Sequence, residues 1–167
     1  RVLLKNGADP DGAARVFAET GREYFHEHAP LASAASNGDL AMCALLLESG
    51  ADPDAPADAY HRTAINYASI KGQWEIAQLL LEHGANPNCP RDDGVPPRWP
   101  PPIVVAAKQY EWNAVALCLD HGADPNVDDR SGRSVLALCL MQACATDAEN
   151  RDVVLRLIAK KDDPSSA

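Results

Sequence analysis

A chain of 167 residues with 46% hydrophobic side chains has the size of one ordinary domain and enough apolar surface to bury a core. Its formal charge of -9 opposes long-range attraction to nucleic-acid phosphates or anionic lipid, which argues against both as partners. Only 5% of residues are aromatic, which suits closely packed helices better than a β-sandwich, so the expected fold class is all-α. Five cysteines, Cys43, Cys89, Cys118, Cys139 and Cys144, occur without C-x-x-C spacing, and four of them lie in apolar stretches. They read as core thiols of a reduced, cytoplasmic protein. No charged-then-apolar leader and no apolar run of 18 residues is present, and the start at Arg1 inside a helical pattern suggests a piece of something longer.

In chain order, "VLLKNGADPD" at 2–11 is the first copy of a phrase that returns as "LLLESGADPD" at 45–54, "LLLEHGANPN" at 79–88 and "LCLDHGADPN" at 117–126. Its glycines, Gly7, Gly50, Gly84 and Gly122, are 43, 34 and 38 residues apart, the arithmetic of a solenoid with variable insertions. In each copy aliphatics close a helix, glycine takes the left-handed turn that a side chain resists, and proline three residues later prevents the helix from resuming. Between the first two copies, the insert "GAARVFAETGREYFHEH" at 12–28 carries Val16, Phe17, Tyr24 and Phe25 at helix-like spacing, as a cap or a recognition loop would.

Ahead of each later phrase lies a shorter helix: Ala29-Pro30-Leu31-Ala32, Thr63-Ala64-Ile65-Asn66, Pro101-Pro102-Ile103-Val104 and Ser134-Val135-Leu136-Ala137. Thr63 and Ser134 are expected to cap these helices, while Pro30 and Pro102 suit a first turn whose amides need no partner. Gly38 and Gly72 punctuate the turn into a second helix, which carries Leu40, Trp74 and Trp112 in register; packing is the default role of the two tryptophans. A degenerate last copy places Lys161 before Asp162, Asp163 and Pro164.

These stretches resemble the ankyrin repeat family, whose pattern T-P-L-H-x-A-A, glycine, then L-L-x-x-G-A-D-x-N is met nearly in full at 29–54, 63–88 and 101–126. The resemblance implies a single helix-turn-helix solenoid. Residues 1–11 form a partial repeat, 12–28 an insert, 29–54, 55–88, 89–126 and 127–164 the repeats, and 165–167 a tail. The last repeat keeps the turn Asp129-Arg130-Ser131-Gly132-Arg133-Ser134 but has extra residues around "MQACATDAEN". The histidine of T-P-L-H is replaced by Ala32, Asn66, Val104 and Ala137, so its hydrogen bonds to neighbouring turns must be lost or replaced.

In the family, the turn tips between repeats and the exposed side of the first helix form a concave partner surface. Carried onto this chain, that surface comprises Ser36, Asn37, Tyr60, His61, Arg62, Ile70, Lys71, Arg98, Trp99, Lys108, Gln109, Arg130, Ser131 and Arg133. Tyr, Trp and Arg are the types that most often carry interface energy, and Trp99 sits in a proline-bounded "PPRWPPP" loop. Six of these positions are cationic, so a locally basic groove would favour an acidic or phosphorylated segment, although Asp58, Asp92, Asp93, Asp128 and Asp129 stand close enough to cancel much of it.

Catalytic signatures are absent: the chain contains no G-x-G-x-x-G, G-x-x-x-x-G-K-[ST], H-E-x-x-H or G-x-S-x-G. Glu23, His26, Glu27 and His28 crowd one segment without a third spaced ligand group, so no metal, cofactor or catalytic residue is assigned. His83 and His121, one residue before the repeat glycines, suit a helix C-terminus. The expectation is a non-catalytic, monomeric protein-binding module. Two alternatives stay open: a regulatory or targeting domain of a larger enzyme, and a small-molecule enzyme or receptor using the loops at 12–28 and 91–100.

Overall fold

The computed structural model describes residues 7–11, 29–58, 61–89, 99–142 and 148–161, and within them the regular structure is helical. Eight helices follow in order: α1 Pro30–Asn37, α2 Leu40–Glu48, α3 Ala64–Ile70, α4 Trp74–Glu82, α5 Pro102–Gln109, α6 Trp112–Asp120, α7 Val135–Gln142 and α8 Ala148–Lys161. An isolated antiparallel bridge joins Asp128 to Ser134 across the turn before α7. The all-α expectation holds, and no helix among the described residues is long and apolar enough to cross a membrane.

Two compact units divide the chain, Arg1–Trp99 and Pro100–Ala167. In the first, α1 packs on α2 and α3 on α4, and the two hairpins stack with α1 against α3 and α2 against α4. The second repeats the scheme: α5 pairs with α6 and α7 with α8, and α5 meets α7 while α6 meets α8. Nearest-neighbour stacking of this kind buries apolar faces that a lone hairpin would expose. Ile65, Ile76 and Leu80 fill the first unit, and Ile103, Leu119, Val135 and Leu157 the second.

The repeated phrase closes each second helix in the same way. Gly50, Gly84 and Gly122 stand at φ 91, 90 and 84, in the left-handed region. The following alanine amides then turn back onto the last helical turn, Ala51 N to Leu46 O at 3.0 Å, Ala85 N to Leu80 O at 3.0 Å and Ala123 N to Cys118 O at 2.9 Å. These alanines are buried, which is why the position is small.

The acidic or amide residues of the phrase have two separate duties. The third residue bends the chain onto itself: Asp52 Oδ1 accepts from Asp54 N at 2.9 Å, Asn86 Oδ1 from Asn88 N at 2.9 Å and Asp124 Oδ1 from Asn126 N at 2.8 Å. The fifth reaches the next copy. Asp11 accepts from Asp52 N at 3.1 Å on both oxygens, and Asp54 Oδ1 accepts from Asn86 N at 2.9 Å. Burial pushes the Asp54 carboxyl above its ordinary value, with the Asn86 amide opposing and Asp52 adding to the rise.

Helix starts follow the expected chemistry. Pro30 and Pro102 lie in the first turns of α1 and α5, and Ser134 Oγ accepts from Ala137 N at 3.2 Å. Thr63 and Asn66 form a capping box at the start of α3, in which Asn66 Oδ1 accepts from Thr63 N at 3.0 Å and from the Thr63 hydroxyl at 3.3 Å. Asn66 Nδ2 also donates to Cys89 Sγ at 3.2 Å, tying α3 to the turn that follows α4. Asn66 thereby supplies a link that the missing histidine would otherwise have to make.

Cys43, Cys118 and Cys139 are buried free thiols, and Cys89 is half-buried. Burial pushes Cys43 and Cys139 up to about 11 and Cys89 up to about 12, so none of these three is an activated thiolate at neutral pH. His83 Nδ1 lies 2.9 Å from Leu79 O at the end of α4, as its helix C-terminal position suggested. The 12–28 insert, Cys144 and residues 162–164 lie outside the described residues.

Candidate protein-binding turns and inner helices

The turn before α3 and the turn before α7 are built around one aspartate each. Asp58 Oδ1 accepts from Arg62 N at 3.1 Å, while its Oδ2 accepts from Tyr67 OH at 2.8 Å and from Arg62 Nε. Asp129 Oδ1 accepts from Ser131 N at 2.8 Å and Arg133 N at 3.0 Å, while its Oδ2 accepts from Arg133 Nε at 3.1 Å and Nη2 at 2.8 Å. Lys108 Nζ stands 3.1 Å from that second oxygen. The Asp-x-x-x-Arg spacing is the same at 58–62 and 129–133 and is readable in the sequence, although the partner map did not use it.

Arg62 is therefore held inside its own unit. Its guanidinium lies 4.5 Å from the centroid of the Tyr67 ring and 4.6 Å from that of Trp99, a cation between two aromatic faces. Burial, then the Asp58 hydrogen bond and charge, push the Tyr67 phenol upward, with Arg62 opposing. Trp99 is half-buried, and its indole N–H is buried without an acceptor among the described residues. Trp99 thus lies in the loop as expected, with its ring stacked on Arg62.

In the second unit, the Arg133 guanidinium holds the Asp129 carboxyl well below the usual aspartate range. The Arg133 amide, Lys108 and the Ser131 amide add to this, and burial opposes it. Of the six cations assigned to the partner strip, Arg62, Lys108 and Arg133 are thus engaged with Asp58 or Asp129.

A carboxyl whose folded-state value lies below its unfolded one adds stability above the unfolded value and loses it as pH falls toward the folded one. Asp129→Asn is accordingly expected to be less stable than the parent at pH 7, with the difference shrinking as pH falls below about 4. Urea midpoints of both proteins between pH 7 and 2.5 check this, and a difference independent of pH would contradict it.

The other mapped positions divide by exposure. Asn37, His61, Ile70, Lys71, Gln109, Arg130 and Ser131 are exposed, and Ser36 is half-buried. Asn37, Ile70, Lys71 and Gln109 lie at the C-terminal ends of first helices, and His61, Arg130 and Ser131 on turn tips. Tyr60 and Arg98 lie outside the described residues. Tyr110, exposed and directly after α5, was not among the mapped positions. Among the described residues no group of three His, Cys, Asp or Glu side chains could hold a metal ion, and the cluster at 23–28 falls outside them.

A family model described as ankyrin repeats (3 copies) matches residues 1–91. A search of curated proteins found no match. The repeats read at 89–126 and 127–164 extend beyond the matched region, and their described parts contain the hairpins α5–α6 and α7–α8. Ankyrin repeats generally serve as protein–protein interaction modules and are typically non-catalytic. With more than half of its length matched and its helical hairpins in place, the chain belongs to the ankyrin repeat family.

Proposed function

We propose that this chain is a non-catalytic protein-binding module that engages another protein through the turn tips before α3 and α7 and the exposed ends of its first helices. The observation that carries this reading is the division of labour within each repeat. Apolar side chains of paired helices are buried against one another, whereas His61, Lys71, Arg130 and Ser131 are exposed at bends and helix ends. Binding residues are commonly found on loops positioned by such a scaffold.

Engagement of Arg62, Lys108 and Arg133 by Asp58 and Asp129 lowers the net positive charge that a partner meets. The buried free thiols Cys43, Cys118 and Cys139 support a reducing, intracellular setting.

Affinity capture from a native extract tests the proposal. A His61→Ala, Lys71→Ala, Ser131→Ala triple variant should retain the parent circular dichroism while recovering at least about tenfold less of the proteins that the parent captures. Equal recovery by parent and variant would overturn it.

A further inference from the structure

The bend from first to second helix is made three times with one backbone design. After α1, Gly38 stands at φ 76 and Asp39 N donates to Ala34 O at 3.0 Å. After α3, Gly72 stands at φ 71 and Gln73 N donates to Ala68 O at 2.8 Å. After α5, Tyr110 stands at φ 65 and Glu111 N donates to Ala106 O at 3.1 Å. In each case the second helix begins two residues beyond the left-handed position, at Leu40, Trp74 and Trp112. Tyrosine therefore occupies a slot that two sibling repeats fill with glycine.

The same exchange occurs at the turn tips. Gly132 at φ 73 donates its amide to Asp129 O at 2.9 Å, and His61 at φ 56 donates its amide to Asp58 O at 3.0 Å. Left-handed backbone is open to glycine, adopted more readily by histidine than by most side chains, and disfavoured for bulky ones, so the tyrosine ring at position 110 strains the fold. Packing returns little for that strain: Tyr110 is 65% exposed. Strain of this kind persists where the surrounding structure imposes it, and it concentrates at functional positions.

We infer that Tyr110 is a specificity-determining contact for the partner, displayed by the bend between α5 and α6. This inference rests on the protein-binding reading above. A tyrosine offers a large, rigid apolar face and a phenol that both donates and accepts, with only two side-chain torsions to restrict on binding. Its backbone is fixed between two helices by the Tyr110 N to Ala107 O and Glu111 N to Ala106 O bonds. The surface it fits is a protein face with an aliphatic patch for the ring and a polar group at its edge for the phenol.

Two measurements test it. Tyr110→Gly should raise the thermal midpoint by about 2–4 °C, because strain is relieved and little packing is lost. Benzoylphenylalanine is placed singly at positions 71, 110 and 131, and at exposed position 75 on α4 as a control, then photolysed in a native extract. Adducts with a common protein are expected from 71, 110 and 131 and not from 75, and recovery of that protein by Tyr110→Gly should fall at least about tenfold despite the higher midpoint.

A lowered midpoint for Tyr110→Gly would make the ring structural and overturn the inference. Adducts at 71 and 131 without one at 110, or equal yields at 110 and 75, would overturn it while leaving the protein-binding reading in place. No adduct at 71, 110 or 131 would overturn that reading itself.

Discussion

Leu80→Ala is expected to destabilise the chain by about 2–5 kcal/mol, because a fully buried leucine leaves both lost transfer energy and a cavity. Leu80 is 0% exposed, in the α4 helix that packs on both α2 and α3. Its carbonyl accepts from Ala85 N, and truncating the side chain spares that bond, so the loss isolates packing. Since each hairpin is stabilised by its neighbour, the cavity weakens the stack as well as the helix that contains it. Urea unfolding should show a lower midpoint at unchanged slope. Gln78→Ala, on the exposed side of the same helix, should stay within about 0.5 kcal/mol of the parent, and equal shifts for the two variants would show that the packing assignment is wrong.

Asp58→Ala should cost about 2–4 kcal/mol, since it strips both the Arg62 guanidinium and the Tyr67 hydroxyl of the acceptor they share. The guanidinium would be left between two aromatic faces without its counter-charge, its side chain only 20% exposed. A double-mutant cycle with Arg62→Ala should return a coupling of about 1–3 kcal/mol, and additive losses would mean that the contact contributes nothing of its own. Tyr67 gives a second readout. Its phenol should ionise at lower pH in Asp58→Ala, because the hydrogen bond and charge that help raise it are gone while burial remains.

The solenoid was readable because its instructions are local. Glycine at 50, 84 and 122, alanine after each and proline two residues further specify a helix stop whatever surrounds it, and four copies place helices between them. The capping serine at 134 and the prolines at 30 and 102 are local in the same sense. The carboxylates of the phrase were only half readable. Asp52 turns its own chain, but Asp54 meets Asn86 only when the next hairpin has stacked beside it.

The candidate site divides along the same line. That His61, Lys71, Arg130 and Ser131 fall on bends or helix ends followed from the repeat register, which the order of residues alone determines. Whether a cation at such a place faces a partner or an internal carboxylate does not follow from register. It depends on which side chains folding brings within about 4 Å of one another, where two charges attract most strongly. Lys108 and Asp129 are 21 positions apart and meet only because α5 packs on α7, and Trp99 reaches Arg62 across 37 positions. The sequence by itself determined the hairpins and their punctuation, because backbone preference acts within a few residues. Only the tertiary structure decided which charges and rings are paired within the fold, because desolvation and pairing act between segments distant along the chain.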